Sequence, residues 1–310
     1  LTVAESFPEI VVEQPVGTSL TDGTSTIAFG RTVSTSPVLR TFTIRNTGSA
    51  TLTGIAATFL ESNAEDWSIT TSPATTLVAE ATTTFTVRFN PGQVSIQNIT
   101  LQIASNDRDE NPFDIALTGT GIATVGTASL FANSSYVDIS ASGEMAQTQA
   151  ALASEGYSVT TFSSIAESGW HTAFAADVVV IPELEVSSLV LSAPAINAIN
   201  SHINAGKGLI VMGDISNRGI AFLNSLRGTS LTSGRNLNSM TLNKVAGVLG
   251  FPNSPTTLIG GNATYSVATS SLPFESQSVY QNGPDTAVFV SQKVGFIGYD
   301  WFSGPISAWS

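Results

Sequence analysis

Between residues 36 and 121 apolar and polar positions alternate with a period of two. Val38, Phe42 and Ile44 fall on one side of a segment, with Thr41, Thr43 and Arg45 on the other. Phe85, Val87 and Phe89 oppose Thr84, Thr86 and Arg88, and Ile99, Leu101 and Ile103 oppose Asn98, Thr100 and Gln102. Successive side chains of a strand point to opposite faces, so each segment has one apolar and one wettable side. The pattern predicts strands at 9–13, 26–30, 38–46, 52–59, 67–70, 76–78, 83–89, 96–104 and 113–118. Turn-forming residues separate them, among them Asn46-Thr47-Gly48, Ser72-Pro73 and Asn90-Pro91-Gly92. Short strands at regular spacing with no helix between them predict a two-sheet sandwich over residues 1–121. The small-residue stretch Gly119–Gly126 reads as the linker that follows.

The period then changes. Val178–Pro182 and Leu209–Met212 are continuous apolar runs, as expected of central parallel strands covered on both faces. Ile196, Ile199 and Ile203 share a helical face, as do Ile220, Leu223 and Leu226; Met145, Leu152 and Ala153 form a weaker stripe. The predicted order is strand 128–133, helix 143–155, strand 157–162, helix 165–175, strand 177–182, helix 192–205, strand 208–213 and helix 217–227. That order predicts a doubly wound α/β domain over 122–310. Beyond 228 the pattern is irregular until three strand-like runs, 277–280, 287–290 and 294–299, which extend the sheet with antiparallel or mixed pairing.

Composition narrows the function classes. Charged residues make up 11 % of the 310, against about 25 % in an ordinary domain, and Ser and Thr occupy the outward strand positions instead. The formal net charge of −12 disfavours nucleic acid, whose binding rests on Lys and Arg neutralising phosphates. It equally disfavours anionic membrane surfaces. No window reaches the ~18 uninterrupted apolar residues of a membrane span, so membrane insertion is not expected. Cysteine is absent, which removes disulfides, thiolate metal sites and a cysteine nucleophile. The hydroxyl-rich, lysine-poor surface points to an extracellular or cell-surface location, and Leu1 fits a terminus left by signal cleavage or a fragment boundary.

The segments Phe29-Gly30, Arg40–Gly48, Phe85–Pro91, Ser105-Asn106-Asp107 and Pro112-Phe113 through Leu117–Gly121 resemble the immunoglobulin-like domains of the abnormal-spindle/hydin type. In secreted bacterial proteins these occur as the choice-of-anchor D variant. The resemblance implies a spacing or presenting module without catalytic residues. Leu209–Asp214 and Phe296–Phe302, with the strand–helix layout, resemble the flavodoxin-like domains related to class I glutamine amidotransferases. The nucleophile of that family is a cysteine, which this chain lacks, so the resemblance implies fold and not activity.

Open α/β sheets bind ligands at the carboxyl ends of their strands. There the candidates are Glu183, Asp214, Asn217, Arg218, Asp300 and Trp301. Their carboxylates suit a hard cation or a polyol. Asp214, Ser216 and Asn217 equally suit the start of the following helix. The acidic loop Asp107–Asn111 lacks EF-hand spacing and reads as a solvated hairpin loop. His171 and His202, the two histidines, are too few for a metal site and read as surface or packing residues. Tyr299, Trp301, Phe302 and Trp309 are either a stacking platform or buried aromatics. No Gly-x-Ser-x-Gly elbow, dinucleotide fingerprint or phosphate loop is present. No cofactor, metal or catalytic residue is expected.

The sequence therefore predicts a non-enzymatic, secreted or cell-surface structural or adhesive protein, and possible partners are surface proteins or copies of itself. A filament or matrix subunit is one version, with edge strands or a free segment such as Leu1–Pro15 adding to a neighbour's sheet. The alternative is a carbohydrate-binding protein or hydrolase using the strand-end rim of the α/β half, with a glycan as ligand.

Overall fold

The structure, a computed structural model, describes residues 6–60, 64–251, 254–261 and 264–299. The chain divides into two units, Leu1–Thr124 and Val125–Ser310. The first unit contains β1 (Ile10–Glu13), β2 (Thr26–Thr32), β3 (Val38–Asn46), β4 (Leu52–Thr53), β5 (Ala56–Phe59), β6 (Trp67–Thr71), β7 (Thr76–Leu77), β8 (Thr82–Phe89), β9 (Ile96–Ala104) and β10 (Phe113–Gly121). One sheet runs β1-β3-β8-β6 and the other β2-β10-β9-β5, while β4 and β7 pair by themselves. Only β2 and β10 pair in parallel; the other neighbours are antiparallel. The alternation is the cause of the layering. Phe42, Ile44, Phe85, Val87 and Phe89 of one sheet meet Phe29, Leu101, Ile103, Ile115 and Leu117 of the other in a single core. This is an immunoglobulin-like sandwich.

Three expectations for this half are corrected. Residues 52–59 form two strands, because Gly54 at φ +69° turns the chain between them. Upstream, β4 pairs with β7, whereas β5 joins the second sheet beside β9. Gly119–Gly121 are not linker. They finish β10, where a Cβ on Gly121 would lie 1.9 Å from the Gln93 carbonyl and one on Gly119 2.5 Å from the Phe89 ring. Small residues stand there because other groups come close, leaving 122–125 as the connection. The segment Leu1–Pro15 is not free: β1 pairs with β3, and Ile10 and Val12 are buried in the core. Residues 1–5 of it lie outside the described residues.

The second unit starts with β11 (Gly126–Phe131), α1 (Glu144–Ser154), β12 (Tyr157–Phe162), α2 (Glu167–Ala173), β13 (Val178–Ile181), α3 (Ala193–Asn204), β14 (Gly208–Met212) and α4 (Arg218–Arg227). It continues with β15 (Ser233–Asn236), β16 (Thr241–Lys244), β17 (Thr257–Ile259), β18 (Tyr265–Ala268), β19 (Gln277–Asn282), β20 (Asp285–Ser291) and β21 (Val294–Ile297). Strands β12-β11-β13-β14-β21 are parallel neighbours, and β20-β19-β16-β17 extend the sheet antiparallel beyond β21. The antiparallel pair β15–β18 attaches through β18 to β20.

Apolar residues on both sides of these strands require cover on both faces. Helix α1 covers Ala128, Leu130, Val159 and Val180 on one face. Helices α2 to α4 cover Phe131, Val179, Ile181, Leu209, Val211 and Phe296 on the other. In α3 the buried stripe is Ala195, Ile199 and Ile203, and the Ser192 side chain accepts the Ala195 N–H at its start. Gly228, left-handed at φ +63°, ends α4. Parallel strands with helical cover thus extend only to Arg227 plus β21, and the rest of 122–310, where a doubly wound domain was expected, adds antiparallel strands. Among the described residues no helix is long and apolar enough to cross a membrane.

Candidate functional site

Strands β11, β13 and β14 are neighbours, so the loops at their carboxyl ends share one rim. Those loops are stitched together. Val186 N–H donates to the Tyr136 carbonyl (3.1 Å), and Arg218 Nη1 donates to the Leu184 carbonyl (2.7 Å). Of the predicted residues, Glu183 and Asp214 are there and buried, at 1 % and 2 % exposure. Asp214 serves the helix that follows it: Oδ1 accepts the Ser216 N–H and Oδ2 the Gly219 N–H, both at 2.7 Å. The positive end of α4 favours that carboxylate. A Cβ on Gly219 would lie 2.3 Å from the Met212 carbonyl, so only glycine lets α4 start this close to β14. Asn217 takes the cap position in a left-handed conformation (φ +59°) and makes no side-chain cap bond. Asp300 and Trp301, like Phe302 and Trp309, lie outside the described residues. Tyr299 is buried in the cluster beneath α1.

A carboxylate group that the sequence reading missed lies at the same rim. Asp138, Glu144 and Glu185 place oxygens within 4.8 Å of one another. Asp138 accepts the Ser140 N–H (2.8 Å) and hydroxyl (3.0 Å), which folds the loop back. Gly143 passes against it, since a Cβ there would fall 2.5 Å from the Asp138 carboxyl carbon. Glu144 is fully buried in the first turn of α1, where the helix end favours negative charge. Carboxylate oxygens in this number suit a hard cation completed by water and backbone carbonyls. The missed signal was positional: all three residues follow the ends of the first and third strands.

A second acidic group belongs to the sandwich. Glu9, Asp107 and Asp109 also bring oxygens within 4.8 Å of one another. The solvated-loop expectation fails at Asp107, which is 3 % exposed and accepts the Ile10 N–H at 2.8 Å, tying the loop to β1. Partial burial, and then repulsion from Asp107 and Asp109, push the Glu9 carboxyl above its ordinary range. Glu110 is raised in the same way, by burial first and then by Glu9, Asp107, Asp109 and Asp22. Groups whose folded pKa is raised destabilise the ionised fold, and the deficit disappears as pH falls through that pKa. Asp109→Asn should therefore stabilise the sandwich at pH 7 by about 0.5 kcal/mol, the scale of exposed charge pairs. Melting curves from pH 7 to pH 4.5 check this, with the gain expected to shrink towards acid.

Charge pairing at the opposite end of the parallel strands is structural. The Lys207 ammonium (2.7 Å), then the Thr127 N–H and hydroxyl, hold the Asp177 carboxyl at about 2. His171 is exposed beside Glu167 on α2. His202 is buried and stacks on Phe174.

No protein family and no curated protein matches the chain. Partial likenesses exist among solved structures. A protein of unknown function from Porphyromonas gingivalis W83 is 16 % identical with a TM-score of 0.28, over 39 % of this chain and 49 % of that one. The secreted serine protease VesC from Vibrio cholerae is 14 % identical with a TM-score of 0.26, over 32 % of this chain and 22 % of that one. The ASH / PapD-like domain 7 of human CEP192 is 10 % identical with a TM-score of 0.27, over 39 % of this chain and 93 % of that one. The chain thus spans half or less of the first two. None of these likenesses says anything of activity here.

Proposed function

We propose that this chain is a secreted or cell-surface structural and adhesive protein that associates through strand addition. In this reading the first unit is a spacer of the abnormal-spindle/hydin, choice-of-anchor D type. Support comes from Asn46 in the turn motif: its Nδ2 donates to the Ala50 (2.8 Å) and Leu77 (3.0 Å) carbonyls, and its Oδ1 accepts the Gly48 N–H (3.1 Å). The second unit is read as flavodoxin-like. Its parallel order β12-β11-β13-β14-β21 follows the 2-1-3-4-5 pattern, with α1 on one face and α2 to α4 on the other.

The observation that carries the reading is β12. It ends the large sheet with six residues, Tyr-Ser-Val-Thr-Thr-Phe, in unbroken register with β11. Edge strands are ordinarily blunted by charge, proline or a bulge, and this one has none of them. Such an edge accepts a further strand by backbone hydrogen bonding. Placing a charge there by Thr161→Lys should reduce self-association at least tenfold, read by sedimentation and electron microscopy. A wild-type chain that stays monomeric at all concentrations, with no surface partner captured, overturns the proposal.

The grouping of Asp138, Glu144 and Glu185 favours a second reading, in which the rim binds a hard cation or a glycan. Calcium should then raise the melting temperature of the second unit, and Glu185→Gln should remove most of that rise. A flat calcium titration together with a blank glycan array rejects this reading.

A further inference from the structure

His202 stands in the last turn of α3 and is 7 % exposed. Its ring lies flat on Phe174 at the end of α2, with centroids 4.4 Å apart and planes 19° apart. Phe174 in turn contacts Trp170 of α2, which is fully buried, and the edge of the exposed His171. This stack joins the end of α2, only seven residues long, to α3, beside the core anchor that Trp170 makes on Phe131 and Phe162. The imidazole Nε2 is buried without a hydrogen-bond partner among the described residues.

A neutral imidazole fits this site and an imidazolium does not, because its second N–H would be buried with no acceptor. The charged groups around it do not reverse the preference. Lys207 opposes a second positive charge, and its own partner Asp177 is committed to it and to Thr127. On α2, Glu167 is paired with His171 at the exposed side of the helix. The backbone bond with Gly208 favours the charged form, but burial outweighs it and holds the imidazole below its ordinary value.

We propose that the His202–Phe174 stack is an acid-labile latch, which releases α2 from α3 when the surroundings fall below about pH 6. The sign follows from linkage. Below the ordinary histidine value of about 6.5 the open form takes up a proton that the closed form excludes, so closure weakens by up to tenfold per pH unit. Release would free Phe174, which packs on Trp170, whose ring lies edge-on to Phe162 of the edge strand β12, so acid would loosen the surface beside that edge. The latch itself does not depend on what that edge binds.

Amide exchange of residues 167–174 in the full chain, corrected for the intrinsic pH dependence, tests this. Between pH 7.5 and 5 the wild type should lose protection there, by up to about tenfold for each pH unit below the ordinary histidine value. His202→Phe, which keeps a ring on Phe174 but cannot titrate, should lose none. Equal protection at both pH values in the wild type, or the same loss in His202→Phe, overturns the latch. If His202→Phe does not fold, proton NMR titration of the wild type decides, with the two histidines told apart by His171→Gln. A His202 midpoint at or above the ordinary value overturns the proposal.

Discussion

Gly298→Ala should strongly destabilise the second unit while leaving the first intact. Gly298 follows β21, where the chain passes under two neighbours at once. Its N–H donates to the Ala287 carbonyl (2.8 Å), and its carbonyl accepts the Tyr265 N–H (2.7 Å). A Cβ at this position would lie 1.7 Å from the Tyr265 carbonyl oxygen and 3.1 Å from that of Ala287. Both obstacles are backbone atoms held in the sheet, so no side chain can swing aside. Relief requires β18 or β20 to move and give up hydrogen bonds, at a cost of about 3 kcal/mol or more. Typical domain stabilities are about 5–15 kcal/mol, so the loss is a large share of the total. Circular dichroism melts should show the transition of the second unit lost or shifted sharply down, with that of the sandwich in place. A variant that melts like the wild type would contradict the close passage at Gly298.

The second large effect is expected in the sandwich. Phe89→Ala should cost about 3–5 kcal/mol, the range for removing a buried aromatic ring. Phe89 is fully buried at the end of β8, its ring tilted against Trp67 at 4.5 Å and edge-on to Phe29 at 6.3 Å. Its ring also fills the space over Gly119 of β10. Truncation therefore opens a cavity between the two sheets, lined by atoms of three strands. Trp67 fluorescence reports the event locally, and its denaturation midpoint should fall well below that of the wild type. Hydrogen exchange of Val179–Ile181 in the other unit should not change, because the two cores share no residue. Coupled loss in both units would refute that separation.

The sandwich was legible because one side of each strand meets water and the other meets a core. In β8 and β9 the alternation appears directly as alternating burial. The parallel strands and four helices were legible for a related reason: continuous apolar runs and helical stripes have lengths and periods that few other structures satisfy. Strands β15 to β18 were not legible. They are two to four residues of useful contact each, such as Ser233–Asn236 with no fully buried residue, and their pairing comes from distant partners. The Gly119–Gly121 stretch misled because small side chains mark a flexible linker and a tight crossing equally well. Of the candidate site, Glu183 and Asp214 were found from their place after a strand, and the helix-start role of Asp214 was one of the two uses the sequence offered. Asp214 is spent on the start of α4, whereas the oxygens that converge belong to Asp138, Glu144 and Glu185.

By itself the sequence determined the periods, and with them the element types, the two cores and a chain poor in charge and devoid of thiols. Local spacing suffices for this, since period and side-chain chemistry are properties of neighbours along the chain. Only the tertiary structure decided that β21 returns beside β14, that β12 is left at the edge, and that His202 lies under Phe174. Those depend on contacts between residues far apart in sequence, which no local pattern encodes.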